Sequence, residues 1–109
     1  MKVQLLHIED CPNWQQTGVA TREILDELGF QTVSIENRLL TDRRELSESG
    51  FAGSPTVLIN GRDVIPGTTP IDELACRMYA SPDGLTPAPT RHQIRDAILR
   101  SRQFPEPTG

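Results

Sequence analysis

The segment Gly53-Ser54-Pro55-Thr56-Val57-Leu58-Ile59-Asn60-Gly61-Arg62-Asp63-Val64-Ile65 decides the fold. Thr56 to Ile59 is a β-branched run, Asn60-Gly61 supplies the positive φ angles of a two-residue hairpin turn, and Arg62 to Ile65 returns. An antiparallel hairpin is therefore expected. Pro55 opens the first strand, where its missing N–H calls for a bend or irregular join in place of a regular ladder.

Upstream, Lys2 to Ile8 is an apolar run with Val3, Leu5 and His7 on one parity and Leu6 and Ile8 on the other, the pattern of a strand covered on both faces. The period then changes. From Asn13 to Leu28, Ala20, Ile24 and Leu28 recur at helical spacing with Leu25 beside them, and Gly29 stands as a C-terminal cap. Phe30 to Glu36 alternates as a second strand. Strand, helix and strand with short joints make a βαβ unit, in which the strands run parallel. Thr41 to Glu48 reads as a short polar helix with Thr41 as candidate N-cap, stopped by Gly50.

Downstream of the hairpin, Pro70 to Tyr79 carries Ile71, Leu74, Ala75 and Met78 at helical spacing, so a helix is expected there, with Cys76 off the centre of its apolar stripe. Residues 80–89 read as a Pro/Gly-rich loop. Thr90 and Gln93 form a capping box for a last helix bearing Ile94, Ala97 and Ile98, and 103–109 reads as a frayed tail after a domain spanning 1–102.

The bulk properties narrow the function classes. A chain of 109 residues supports one core and no second domain. It lacks an apolar run near the roughly 18 residues of a membrane span, and charge interrupts residues 1–9, so no leader and a cytoplasmic setting are expected. A net charge of −4, with Lys2 the one lysine, argues against nucleic acid as a partner. Two cysteines are too few for a disulfide scaffold or a four-cysteine zinc site.

Those cysteines carry the candidate chemistry. Cys11 lies at the strand-to-helix junction in Cys11-Pro12-Asn13-Trp14. With Pro12 suited to the first helical position, Cys11 is the expected N-cap, where backbone N–H groups and the helix dipole favour thiolate. Glu9 and Asp10 oppose this, so a modest activation is expected; the competing reading is a small buried, inert cysteine. A lone histidine on a central strand, His7, is expected to be a hydrogen-bonded core residue, although with Cys11 and Cys76 it would make a soft-metal set. Trp14 is expected to pack in the core before serving as a lid over the thiol, and His92 to be solvated. Cys11 and Cys76 as a redox pair, as independent thiols, and as ligands of a shared soft metal all remain open.

With Cys11-Pro12-Asn13-Trp14 at the start of the first helix and Gly53-Ser54-Pro55-Thr56 at the start of the third strand, the chain resembles the thioredoxin/glutaredoxin-like superfamily over residues 1 to about 79. It is similar in particular to small bacterial thioredoxin-like proteins with a CPNW motif, some of which go under the name alkylmercury lyase; Gly53 to Asp63, Ala75 to Tyr79 and Pro82 to Leu85 extend the likeness. The resemblance implies an α/β thioredoxin-like fold of order β-α-β-α-β-β-α, with a mixed four-stranded sheet in the order 2-1-3-4 and an added C-terminal helix. It implies a cis peptide before Pro55 facing Cys11, and substrate docking on Pro12, Trp14, Ser54, Pro55 and Thr56. It also implies a contact for a low-molecular-weight thiol at Gly67, Thr68, Thr69 and Asp72, on a helix N-terminus. Trp14 stands where a resolving cysteine would be, so exchange at Cys11 would be resolved by Cys76 or by a small thiol, with a protein or small-molecule thiol or disulfide as substrate. The alternatives are a non-catalytic binding module of the same fold and a soft-metal or organomercurial thiol protein.

Overall fold

The computed structural model describes residues 1–9 and 11–101; Asp10 and the expected tail at 103–109 lie outside the described residues. Strand β1 (Val3–His7) is followed by α1 (Trp14–Glu27), β2 (Ile35–Leu39), α2 (Arg43–Ser49), β3 (Thr56–Ile59) and β4 (Arg62–Asp63). A small hairpin of β5 (Tyr79–Ser81) and β6 (Gly84–Thr86) and a last helix, α3 (Arg91–Ser101), complete the order. The result is an α/β arrangement with a mixed four-stranded sheet, β2-β1-β3-β4. β1 runs parallel to β2 and antiparallel to β3, and the hairpin turn is made by Asn60 at φ 53° and Gly61 at φ 80°.

The parity of β1 sorts the core into two layers. Val3 and Leu5, with Val57 and Ile59 of β3, face Ile24 and Leu25 of α1 and Ile94, Ala97 and Ile98 of α3. Leu6 and Ile8, with Leu58, face the opposite way, into a cluster with Leu40, Leu46, Phe51 and Cys11 beside α2. This alternation follows from the pleat, which sends successive side chains to opposite faces.

Several boundaries move for identifiable reasons. β2 begins at Ile35, five residues later than the alternation starting at Phe30, because the Arg22 guanidinium donates to the Phe30 and Val33 carbonyls and holds that stretch as coil. Asp42, not Thr41, caps α2: its carboxylate accepts from the Glu45 N–H at 2.9 Å, while Glu45 reaches back to Thr41. The capping box at the start of α3 is present in both directions, Gln93 N–H to Thr90 Oγ1 at 3.1 Å and Thr90 N–H to Gln93 Oε1 at 2.9 Å.

The largest correction concerns 70–79, which is not a helix. The segment is irregular and extended, and Ile71, Leu74 and Met78, its expected apolar stripe, are 36%, 43% and 57% exposed. The sheet face those residues would have covered is filled by α3, so the expected additional helix is the one that closes the core beside α1. The expected loop at 80–89 in turn contains the β5–β6 hairpin.

Substitutions on the two segments should therefore separate cleanly. Ile98→Ala is expected to cost about 2–4 kcal/mol by removing a fully buried side chain, and Leu74→Ala less than about 0.5 kcal/mol as a surface change. Urea denaturation of both variants checks this; equal losses would restore the helical reading of 70–79.

Candidate functional site

The site is assembled where the end of β1, the mouth of β3 and the 75–79 segment meet. Ser54 is buried and uses every polar atom. Its side-chain oxygen accepts from the Ile8 N–H at 3.2 Å, its N–H donates to the Ala75 carbonyl at 2.8 Å, and its carbonyl accepts from the Arg77 N–H at 3.0 Å. These bonds form a parallel bridge between Ser54 and Cys76. The peptide between Ser54 and Pro55 is cis, as the resemblance implied. Thr56, also buried, ties the bend: its hydroxyl accepts from the Ala52 N–H at 3.1 Å and donates to the Gly53 carbonyl.

Cys11 and Cys76 are joined in a disulfide with Cα atoms 6.1 Å apart and a sequence separation of 65. Cys11 is 1% exposed and packs in the α2-side cluster, whereas Cys76 is exposed. The expected N-cap position of Cys11 is corrected: Pro12 and Asn13 form a turn, Asn13 is the cap, and α1 opens at Trp14. Cys11 therefore stands two residues ahead of the cap, outside the row of free amide groups that was to activate it.

The downstream half of the segment is anchored by residues the sequence did not single out. Arg77 makes a two-pronged ion pair with Asp63, at 2.8 and 3.2 Å, with both side chains about a tenth exposed. It also donates to Thr68 Oγ1 at 3.2 Å and lies 4.2 Å over the Tyr79 ring. The Tyr79 hydroxyl donates to the Pro55 carbonyl, and burial pushes its pKa well up, so it is a neutral donor. Gly53, at φ 111°, completes the fit, since a Cβ there would lie 2.5 Å from Cβ of Arg77. The signal for these residues was a period of two. Ala75, Arg77 and Tyr79 turn inward while Cys76, Met78 and Ala80 are exposed, an alternation hidden because its middle inward member is charged.

The remaining expected site residues divide. Pro12 is exposed beside Cys11, and Trp14 is half-buried, stacked on the His7 ring at 4.0 Å and 9° and packed against the α1-side core, so it is a packing residue as expected. Gly67, Thr68, Thr69 and Asp72 do not form the helix N-terminus that the resemblance implied for a small thiol, because residues 70–79 are not helical. Thr68 donates to the Ile65 carbonyl and accepts from Arg77, while Asp72 is exposed and faces Arg43. Among the described residues no three His, Cys, Asp or Glu side chains converge as metal ligands. His92 lies on the surface beside Asp96, as expected.

His7 is 7% exposed and, contrary to expectation, its Nδ1 has no hydrogen-bond partner among the described residues. Burial lowers its pKa, outweighing the Ile8 backbone contact that raises it. No helix among the described residues is long and apolar enough to cross a membrane. Comparisons of the chain with protein-family models, with curated proteins and with solved structures find no match.

The lowered pKa of His7 sets a sign for acid sensitivity. As the pH falls below the ordinary 6.5, unfolded chains take up a proton on His7 while folded ones do not. Stability linked to His7 is thus full above pH 6.5 and lost below it. The urea midpoint of the wild type is expected to fall more between pH 7 and pH 5 than that of His7→Gln; parallel declines would overturn the assignment.

Proposed function

We propose that the protein is a thioredoxin-like thiol–disulfide exchange protein working through the Cys11–Cys76 pair. The observation that carries this reading is the bond itself: it joins a buried cysteine at the β1–α1 joint to an exposed one on an extended segment hydrogen-bonded to Ser54. The sheet order and the placement of Ser54-Pro55 at the mouth of β3 support the fold assignment. The motif Cys11-Pro12-Asn13-Trp14 cannot close a disulfide on itself, and Cys76 supplies the second thiol from elsewhere in the chain.

The chemistry balances with two thiols. One thiolate of the reduced pair attacks a substrate disulfide, R–S–S–R′, forming a mixed disulfide and releasing R′–S⁻. The second thiolate then attacks the protein sulfur of that mixed disulfide, expels R–S⁻ and closes Cys11–Cys76. Two electrons pass from the pair to the substrate, and the two protons lost by the protein thiols protonate the released thiolates. The substrate is a protein or small-molecule disulfide, and the setting is the cytoplasm, where a disulfide in a working protein is usually a transient, catalytic state.

Equilibration with glutathione redox buffers tests the reading. The pair is expected to interconvert between dithiol and disulfide within the cellular range, seen as a difference of two hydrogens in intact mass. A bond that stays closed until the poise drops below about −300 mV would mark a structural disulfide and sink the exchange reading. Cys76→Ser is expected to abolish the two-hydrogen change while leaving the chain folded.

A further inference from the structure

We propose that external thiols attack the disulfide at Cys76 and not at Cys11, so that Cys76 carries every mixed disulfide and Cys11 is the buried partner that leaves and returns. This rests on the exchange reading and reverses the order expected from the position of Cys11 near the start of α1. The two sulfurs differ in access. Cys11 is 1% exposed and packs with Leu6, Ile8, Leu40, Leu46, Phe51 and Leu58, whereas Cys76 is exposed on the outward parity of its segment, with Met78 57% exposed two residues on.

Exchange at sulfur needs the incoming thiolate to approach in line with the bond it breaks, and which sulfur is attacked depends on access. Cys11 is enclosed by the apolar residues of its cluster, which stand in the way of an incoming thiolate. Cys76 is an exposed residue, open to solvent. The backbone bonds of Ala75 and Arg77 to Ser54, and the Arg77–Asp63 pair, hold Cys76 in this orientation without covering it.

A low-molecular-weight thiolate, RS⁻, then forms RS–S–Cys76 as the Cys11–Cys76 bond breaks, and the electron pair goes to Cys11 Sγ. The leaving sulfur takes its proton from water or a second molecule of the thiol. A second RS⁻ attacks the outer sulfur of the mixed disulfide, giving RSSR and Cys76 thiolate. Two RSH are oxidised and one protein disulfide is reduced.

Sulfite reads the regiochemistry directly, because it stays on the sulfur it attacks and frees the other. The oxidised, folded protein, its bond verified by intact mass, is treated briefly with sulfite and quenched with excess N-ethylmaleimide in denaturant, and peptides are mapped. The expected result is S-sulfonate on Cys76 and the maleimide adduct on Cys11, in at least tenfold excess over the reverse; denatured protein should give both isomers. Comparable S-sulfonate on Cys11, or no cleavage of the folded protein under conditions that cleave the denatured one, would overturn the proposal. A bond that fails to equilibrate with glutathione removes the exchange reading instead, and leaves the sulfite result readable.

Discussion

The backbone of Ser54 holds the 75–77 segment by one donated and one accepted hydrogen bond, and most of the site depends on that contact. Both groups are buried at the mouth of β3, where an unpaired backbone N–H or C=O costs as much as a lost hydrogen bond. What lies opposite must offer backbone groups of its own, and a helix interior has none free, since its N–H and C=O are bonded within the helix. The segment is therefore extended. From this follow the position of Cys76 beside Cys11, of Arg77 over Asp63, and of Tyr79 beneath Pro55.

The Arg77–Asp63 pair fixes the register of that segment. A buried ion pair adds little net stability compared with apolar packing, but either partner left alone in the same place is expensive. A slip of one residue would turn Arg77 to solvent and bring Cys76 or Met78 against the Asp63 carboxylate, because successive side chains of an extended chain face opposite ways. Gly53 enforces the same register from below by letting the Arg77 stem approach closer than any Cβ would allow. The position of Cys76 is thus specified twice, by backbone bonds at its neighbours and by charge one residue on.

The hairpin, the two-faced central strand and the helix caps were legible in the sequence because each rests on local chemistry: Asn60-Gly61 for the turn, the parity of Val3 to Ile8 for the layers, Thr90 and Gln93 for the cap. Residues 70–79 were not, because Ile71, Leu74 and Met78 do have helical spacing, and what defeats it is tertiary: the Ser54 backbone takes its partners from Ala75 and Arg77, and Ile94, Ala97 and Ile98 occupy the sheet face. The helical spacing records neither contact. Cys11 and Ser54-Pro55 were read as neighbours, and the structure brings both beside Cys76, Cys11 through the disulfide and Ser54 through a backbone bridge. The pairing of Cys11 with Cys76 was left open, since it depends on the same tertiary contacts.

Trp14, stacked on the His7 ring, takes the position at which a local dithiol pair would carry its second thiol. Placing that thiol at Cys76, 65 positions after Cys11, changes the energetics of closure. In the chain-entropy model, a loop of that length loses about 4 kcal/mol of denatured-state freedom when cross-linked. By linkage, folding favours the closed pair over the open one by the same amount relative to the unfolded chain. In the folded protein the bonds from residues 75, 77 and 79 to Ser54, Asp63 and Pro55 share in meeting that entropic demand. Closure in the folded protein is consequently a short-range event between two sulfurs whose Cα atoms are held 6.1 Å apart.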